Sequence, residues 1–375
     1  VEHDRIALFG PAVRGLGVLY ELIGWLYEGI EQLELATRSL QKQSNSAERA
    51  GVLGLALTMQ ALLYFRWGQF YRAQTLLDES LTLLRPIGDP ALLVDSLVLN
   101  GVLSHLMGQI DQAQVLTQEG LHCARTAGAE WFIAYALYNL GYVAGLLGRY
   151  EEGYQQMLDG LALWRAVGDP RYIALGLNFI SPLAVTLGRS AEARAYLQES
   201  LQLCAQVNDR WGMGTAYRNL GLVALAQGHV AEAKSCIHKS LEIYTGYVTG
   251  WDIAQSLVYL GEATAAEGDV REAERIFRSA LDLALESHAT PLVLEALVGL
   301  AYLKVNTDQI DRVWNIIVSV VAHPASTQEI KDRAERLRAK LQARLTSQAV
   351  AGLQAQARNK PLEELMAEIM TADDR

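Results

Sequence analysis

The fold class predicted is an all-α solenoid of about eight stacked two-helix units, and three observations predict it. Glycines recur every forty residues, at Gly68, Gly108, Gly148, Gly188, Gly228 and Gly268. The stretches between them, such as LVLNGVLSHLMG and ALYNLGYVAGLLG, carry apolar residues at spacings of three and four, without β-branched alternation. Small residues keep fixed phases around each turn: Ala73, Ala113, Gly153, Ala193, Ala233 and Ala273 follow five later, and Gly101, Gly141, Ser181, Gly221, Gly261 and Ala301 fall seven before the turn position. With glycine at 31 of 375 positions, six in one register arise by chance less than roughly once in ten thousand.

Taken in chain order, each unit reads as two helices of about four turns joined by a glycine turn. Glu28-Gly29-Ile30 occupies the turn phase of the first unit. Joints between units carry Gly88-Asp89-Pro90 and Gly168-Asp169-Pro170: glycine closes one helix in the left-handed conformation, aspartate caps the next, and proline starts it. Asn208-Asp209 supplies the same chemistry without proline, whereas Thr245–Gly250 replaces the joint and implies a different rotation of the flanking units. Mid-helix glycine costs about 0.8–1 kcal/mol relative to alanine, so Gly101, Gly141, Gly221 and Gly261 imply helix backbones in close approach. Pro182 falls inside a helix, where it frees the carbonyl of Asn178 and predicts a kink at the groove centre. Trp131, Trp211 and Trp251 share one phase at the start of first helices, which favours packing between units. In the eighth unit Asp308 and Val313 stand in for glycine and alanine, the decay expected of a terminal repeat. From Lys331 a basic helix, KDRAERLRAKLQAR, precedes a break at Asn359-Lys360-Pro361 and a short last helix. The expected organisation is a superhelix over residues 1–330 and capping helices over 331–375.

Composition narrows the function. Thirty-two Lys plus Arg against 42 Asp plus Glu give a net charge of −10, which disfavours direct nucleic-acid or membrane-surface binding. No apolar run approaches the roughly 18–20 residues that span a bilayer, and the first ten residues lack the features of a signal peptide. Cys123, Cys204 and Cys236 are too few and scattered for a disulfide framework or thiolate metal site, so a reducing cytoplasm is expected. The missing initiator Met suggests a piece of a longer protein. Phosphate-loop, dinucleotide, HExxH and GxSxG motifs are absent, and the seven histidines show no paired ligand spacing. The expectation is a non-enzymatic protein with no cofactor and no metal.

The strings Ala136-Leu137-Tyr138-Asn139-Leu140-Gly141 with Gly148-Arg149-Tyr150-Glu151-Glu152-Gly153, and Ala216-Tyr217-Arg218-Asn219-Leu220-Gly221 with Gly228 and Ala233, resemble the tetratricopeptide repeat. The forty-residue period exceeds the usual 34 of that family by six. Long repeats joined by Gly-Asp resemble the C-terminal sensor regions of bacterial STAND signal-transduction ATPases, including MalT-like regulators, and the cell-polarity adaptors with Gly-Asp-linked repeats. The resemblance covers residues 12–330 and implies a right-handed superhelix. It further implies either an effector sensor acting on an upstream nucleotide-binding module or a constitutive adaptor for protein assembly.

Residues forty apart on first helices form columns along the concave wall of such a superhelix. Tyr138, Asn178 and Arg218 lie in one; Asn139, Asn219 and Tyr259 in the next; Tyr135 and Gln255 one turn earlier; Tyr142 one turn later on the same face. Aromatic area mixed with amide and guanidinium donors suits a peptide, protein or small-molecule effector. The family resemblance implies that Asn139, Arg218 and Asn219 hold peptide backbone or carboxylate.

Overall fold

Residues 3–42, 46–245 and 250–356 are described by a computed structural model. They form eighteen α-helices and no strand. First helices of the units are α1 (His3–Ile23), α3 (Ala47–Arg66), α5 (Pro90–Leu106), α7 (Glu130–Leu146), α9 (Pro170–Thr186), α11 (Arg210–Ala226), α13 (Gly250–Glu267) and α15 (Thr290–Lys304). Second helices are α2 (Leu26–Gln41), α4 (Phe70–Leu84), α6 (Ile110–Thr126), α8 (Tyr150–Val167), α10 (Ser190–Gln206), α12 (Val230–Tyr244), α14 (Val270–Glu286) and α16 (Ile310–Ala322); α17 (Gln328–Gln342) and α18 (Ser347–Gln356) follow. The basic helix expected from Lys331 is α17. The irregular joint at 246–249 and the expected break and last helix beyond Gln356 lie outside the described residues.

Local chemistry explains why the units begin and end where they do. All six turn glycines of the forty-residue register adopt φ between 75° and 93°, a conformation that costs other residues roughly 1–2 kcal/mol. At the joints Asp89 accepts a hydrogen bond from Ala91 N, Asp169 from Arg171 N and Asp209 from Gly212 N. Asn208 takes glycine's place there with φ of 53°, and His288 does the same before the eighth unit.

Backbones meet where the small residues fall. A Cβ on Gly141 would lie 2.5 Å from the Gly153 carbonyl oxygen and 2.9 Å from Met157 N, so α7 and α8 touch with no side chain between them. Apolar faces then close in layers. Leu97, Leu177, Val223, Val258 and Leu297, of α5, α9, α11, α13 and α15, are all fully buried.

The coil closes on itself. The α5–α6 turn at Gly108 abuts Ala325, and the α7–α8 turn at Gly148 abuts Gln328, so the segment entering α17 spans the first and second halves of the stack. Arg333 of α17 bridges Glu262 of α13 and Glu295 of α15. On the opposite side Arg14 of α1 pairs with Asp95 of α5. Trp251 of α13 packs against the buried cluster of the first units. Among the described residues no helix is long and apolar enough to cross a membrane.

A candidate ligand-binding lumen

First helices of seven units surround a central cavity of about 600 Å³. Its two halves differ because the heptad-like faces of the helices differ. Val18, Leu22, Met59, Leu62, Val98 and Leu99 supply an aliphatic wall, and Trp131, Tyr135, Tyr138, Tyr172, Phe179 and Trp211 an aromatic one. The aromatic rings brace one another: Trp131 stands edge-on to Tyr172 at 4.7 Å and lies 5.2 Å from Tyr135, while Tyr138 meets Phe179 edge-on at 6.1 Å. The shared phase of the tryptophans therefore serves packing between units, as expected, and also furnishes cavity wall.

A chain of polar contacts crosses the lumen. Glu21 of α1 pairs with Arg66 of α3 at 3.1 Å, and the Arg66 guanidinium lies 5.1 Å over the ring of Trp211 on α11. Trp211 Nε1 donates to Asp252 at 3.2 Å, Asp252 pairs with Arg218 at 3.3 Å, and Arg218 covers Trp251 at 5.5 Å. This network links the first two units to the sixth and seventh.

Of the nine residues singled out in the sequence, four line the cavity together: Tyr135, Tyr138, Asn139 and Tyr142. Burial pushes the phenols of Tyr135 and Tyr142 up to about 12 and that of Tyr138 well above its ordinary value, so all three are neutral hydrogen-bonding groups. Asn178 and Asn219 are set behind the wall and committed to each other. Asn219 Nδ2 donates at 2.6 Å to the Asn178 carbonyl, the acceptor that Pro182 strips of its helical partner, and Asn178 Nδ2 donates to Gly212 O at 3.0 Å. Helix α9 accordingly runs through Pro182 without a break. Arg218 is buried against Asp252, Tyr259 is buried beside it, and Gln255 is half-buried with an unpartnered Oε1; these three are not part of the cavity wall.

Other wall residues were not legible as such. His105 is buried with its ring 4.8 Å from Tyr142, and burial lowers its pKa to about 4, so the imidazole is neutral. Arg14, Glu21, Arg66, Arg171, Asp209 and Asp252 add polar lining, beside Asp95, which shares the column of Tyr135 and Gln255. Their reach across the hollow depends on how tightly the superhelix coils, which a forty-residue period does not specify.

The tetratricopeptide-repeat family model matches residues 183–246. The fold is that of a tetratricopeptide-like solenoid. No curated protein matches the chain. Among solved structures, a Rap protein complexed with competence and sporulation factor is similar over 97% of this chain and 99% of that one, with a TM-score of 0.65 and 12% identity. NprR in complex with its cognate peptide NprX is similar over 88% of this chain and 96% of that one, with a TM-score of 0.63 and 12% identity. A STAND protein with a tetratricopeptide-repeat sensor, from Pyrococcus horikoshii, aligns over 82% of this chain and 44% of its own, with 13% identity and a TM-score of 0.46. In this solenoid first helices face the lumen and second helices form the outer layer.

Proposed function

We propose that the protein is a non-catalytic recognition scaffold that takes an effector in its lumen and reports occupancy through the contacts that span it. The observation that carries this reading is the cavity of about 600 Å³, inside the roughly 300–1,000 Å³ range of small-ligand sites, whose opposite walls are joined by Arg66 on Trp211. Two solved structures that share the fold hold a bound factor or peptide, so such a superhelix is able to receive one. The long Gly-Asp-joined repeats extend the reading to the effector-sensing region of a STAND-type regulator, cytoplasmic and coupled to an upstream nucleotide-binding module. Such coupling requires the effector to bind one arrangement of the superhelix more tightly than the other. A constitutive adaptor, the second reading, would bind its partner without changing the cross-lumen contacts.

Thermal-shift screening of metabolites and peptides against the chain tests the proposal, with Tyr138→Phe and Arg66→Ala as companions. A hit is expected to raise Tm and to shift the fluorescence of Trp211 as Arg66 is reseated. A ligand whose binding is unchanged by both substitutions and leaves tryptophan emission unaltered would refute it.

A further inference from the structure

Resting on the reading of the lumen as the ligand site, we infer that its occupant is a compact, uncharged, mainly apolar organic molecule carrying one or two hydroxyl or carbonyl groups, and not an extended peptide.

Charge is the first reason. The cavity-lining cations Arg14, Arg66 and Arg171, with Arg218 behind the wall, are matched by Glu21, Asp95, Asp209 and Asp252. Three of these eight-group pairings are direct ion pairs: Arg14 with Asp95, Arg66 with Glu21 and Arg218 with Asp252. Asp209 caps α11. Three cations and four carboxylates line the lumen, with Arg218 neutralising Asp252 from behind, so these ionic groups are largely spent on one another.

Amide chemistry is the second. Every peptide residue brings one backbone donor and one acceptor, and each left unpaired in a buried site costs about 1–3 kcal/mol. The amides of this face are not free to meet them: Asn139 Nδ2 on the wall donates to Tyr135 O at 2.7 Å, and Asn178 and Asn219 are set behind the wall, donating to Gly212 O and Asn178 O. A strand of peptide also needs an open channel, and here the contact of Arg66 with Trp211 crosses the lumen at 5.1 Å.

What remains available is specific. The Tyr138 hydroxyl has no protein partner and belongs to a cavity-lining residue only 4% exposed, whereas the imidazole of His105 has the Gly101 backbone as a partner. Tyr138 rises from α7 within the aromatic wall. A ligand hydroxyl or carbonyl accepts from the Tyr138 phenol, and a hydroxyl also donates to it.

Isothermal titration and thermal shift with 1-naphthol and naphthalene as probes test this on the full chain, beside an equimolar mixture of random hexapeptides. 1-Naphthol should bind at one site and raise Tm, and naphthalene should bind five- to tenfold more weakly. Tyr138→Phe should narrow that gap, and Leu99→Trp, which fills the aliphatic wall, should weaken 1-naphthol at least tenfold. Leu62→Trp serves the same purpose should Leu99→Trp fail to fold. The exposed residues Trp25 and Leu35, replaced together by serine, should leave binding unchanged. Stabilisation by the hexapeptides and not by 1-naphthol would overturn the ligand class while leaving the recognition reading intact. Stabilisation by neither, or 1-naphthol binding indifferent to both tryptophan variants, would overturn the lumen as the site.

Discussion

Replacing Asn219 by leucine removes the one side chain that answers the carbonyl freed by Pro182. The geometry sets the cost. Asn219 Nδ2 lies 2.6 Å from Asn178 O, and the two residues are exposed by only 2% and 0%. No water can take over in so closed a place, so the carbonyl keeps its desolvation penalty of about 1–3 kcal/mol. Leucine is bulkier than asparagine, so overpacking adds its own cost, but it does so in both backgrounds and drops out of the comparison between them. Pro182→Ala changes the account, because alanine at 182 restores the N–H that an α-helix directs to residue 178. In that background Asn219→Leu should cost at least ~1 kcal/mol less. Equilibrium urea unfolding followed by circular dichroism measures all four proteins, with midpoints compared where the m-value is unchanged. Asn178 is further tied to Ser200, whose hydroxyl donates to Oδ1 at 2.7 Å, so the knot spans three helices and the effect is expected on the main transition. Coupling energies of neighbouring groups reach 0.5–3 kcal/mol, and independent sites add within about 0.5. If Asn219→Leu costs the same in both backgrounds within that margin, Asn219 does not serve the proline and the reasoning fails.

Three further outcomes follow from the same coordinates. Gly141→Ala places a Cβ against the backbone of Gly153 and Met157, so overpacking of about 1–3 kcal/mol should outweigh the gain in helix propensity; Gly145→Ala, whose nearest neighbours are Leu183 methyls at 3.3 and 3.6 Å, should be neutral or stabilising by thermal melting. His105 titrates near 4 when folded because burial disfavours its charge, against about 6.5 unfolded. The unfolded chain therefore binds more protons between those values, and stability falls as pH drops through that window. Between pH 7 and 4 the native protein should lose ~3 kcal/mol more than His105→Phe in urea titrations; parallel curves would contradict this. Glu295 has the opposite sign. Burial pushes it up to about 8, with Arg333 opposing and Glu262 and Glu329 adding, so the folded state holds its proton longer than the unfolded one. Stability is then lost as pH rises from 4.5 towards 8, and Glu295→Gln should retain ~3 kcal/mol that the parent loses.

Repetition made the fold readable and hid part of the site. Glycines at fixed phase demanded left-handed turns and close backbone crossings, and both follow from chemistry within one unit, so the units appear where the sequence places them except the first, whose turn falls at Gly24-Trp25 while Gly29 is buried inside α2. The wall residues Tyr135, Tyr138, Asn139 and Tyr142 were legible for the same reason, since they share one helix face. Asn178, Arg218 and Asn219 show the same face and yet serve structure: a proline four residues on claims one amide, and an aspartate on the next first helix claims the guanidinium. Periodicity reports which way a side chain points and is silent about what the neighbouring unit places in front of it. Arg66 was hidden by a longer distance. Trp211 lies four units from Arg66 across the hollow, and only the pitch of the coil brings them together, whereas His105 meets Tyr142 of the very next first helix and is marked by no repeated phase.

That pitch is where recognition and response can be joined. Each unit contacts its neighbours locally, so a small change of angle at every joint adds along the stack. Contacts that skip units resist such a change: Arg66 on Trp211, Arg14 with Asp95, Trp251 on the first units, and Gln328 beside the Gly148 turn. Arg66 is 29% exposed and its partner Glu21 14%, so their pairing is part-screened and only modestly favourable. An effector wedged between the aromatic and aliphatic walls meets that contact first. To shift an even balance of two coil shapes to 10:1 it needs only about 1.4 kcal/mol of preference for one of them, which is comparable to the worth of a single cation–π contact of up to ~2 kcal/mol. On the proposed reading of the lumen as the effector site, one displaced guanidinium would be enough to convert its occupancy into a change of superhelical pitch.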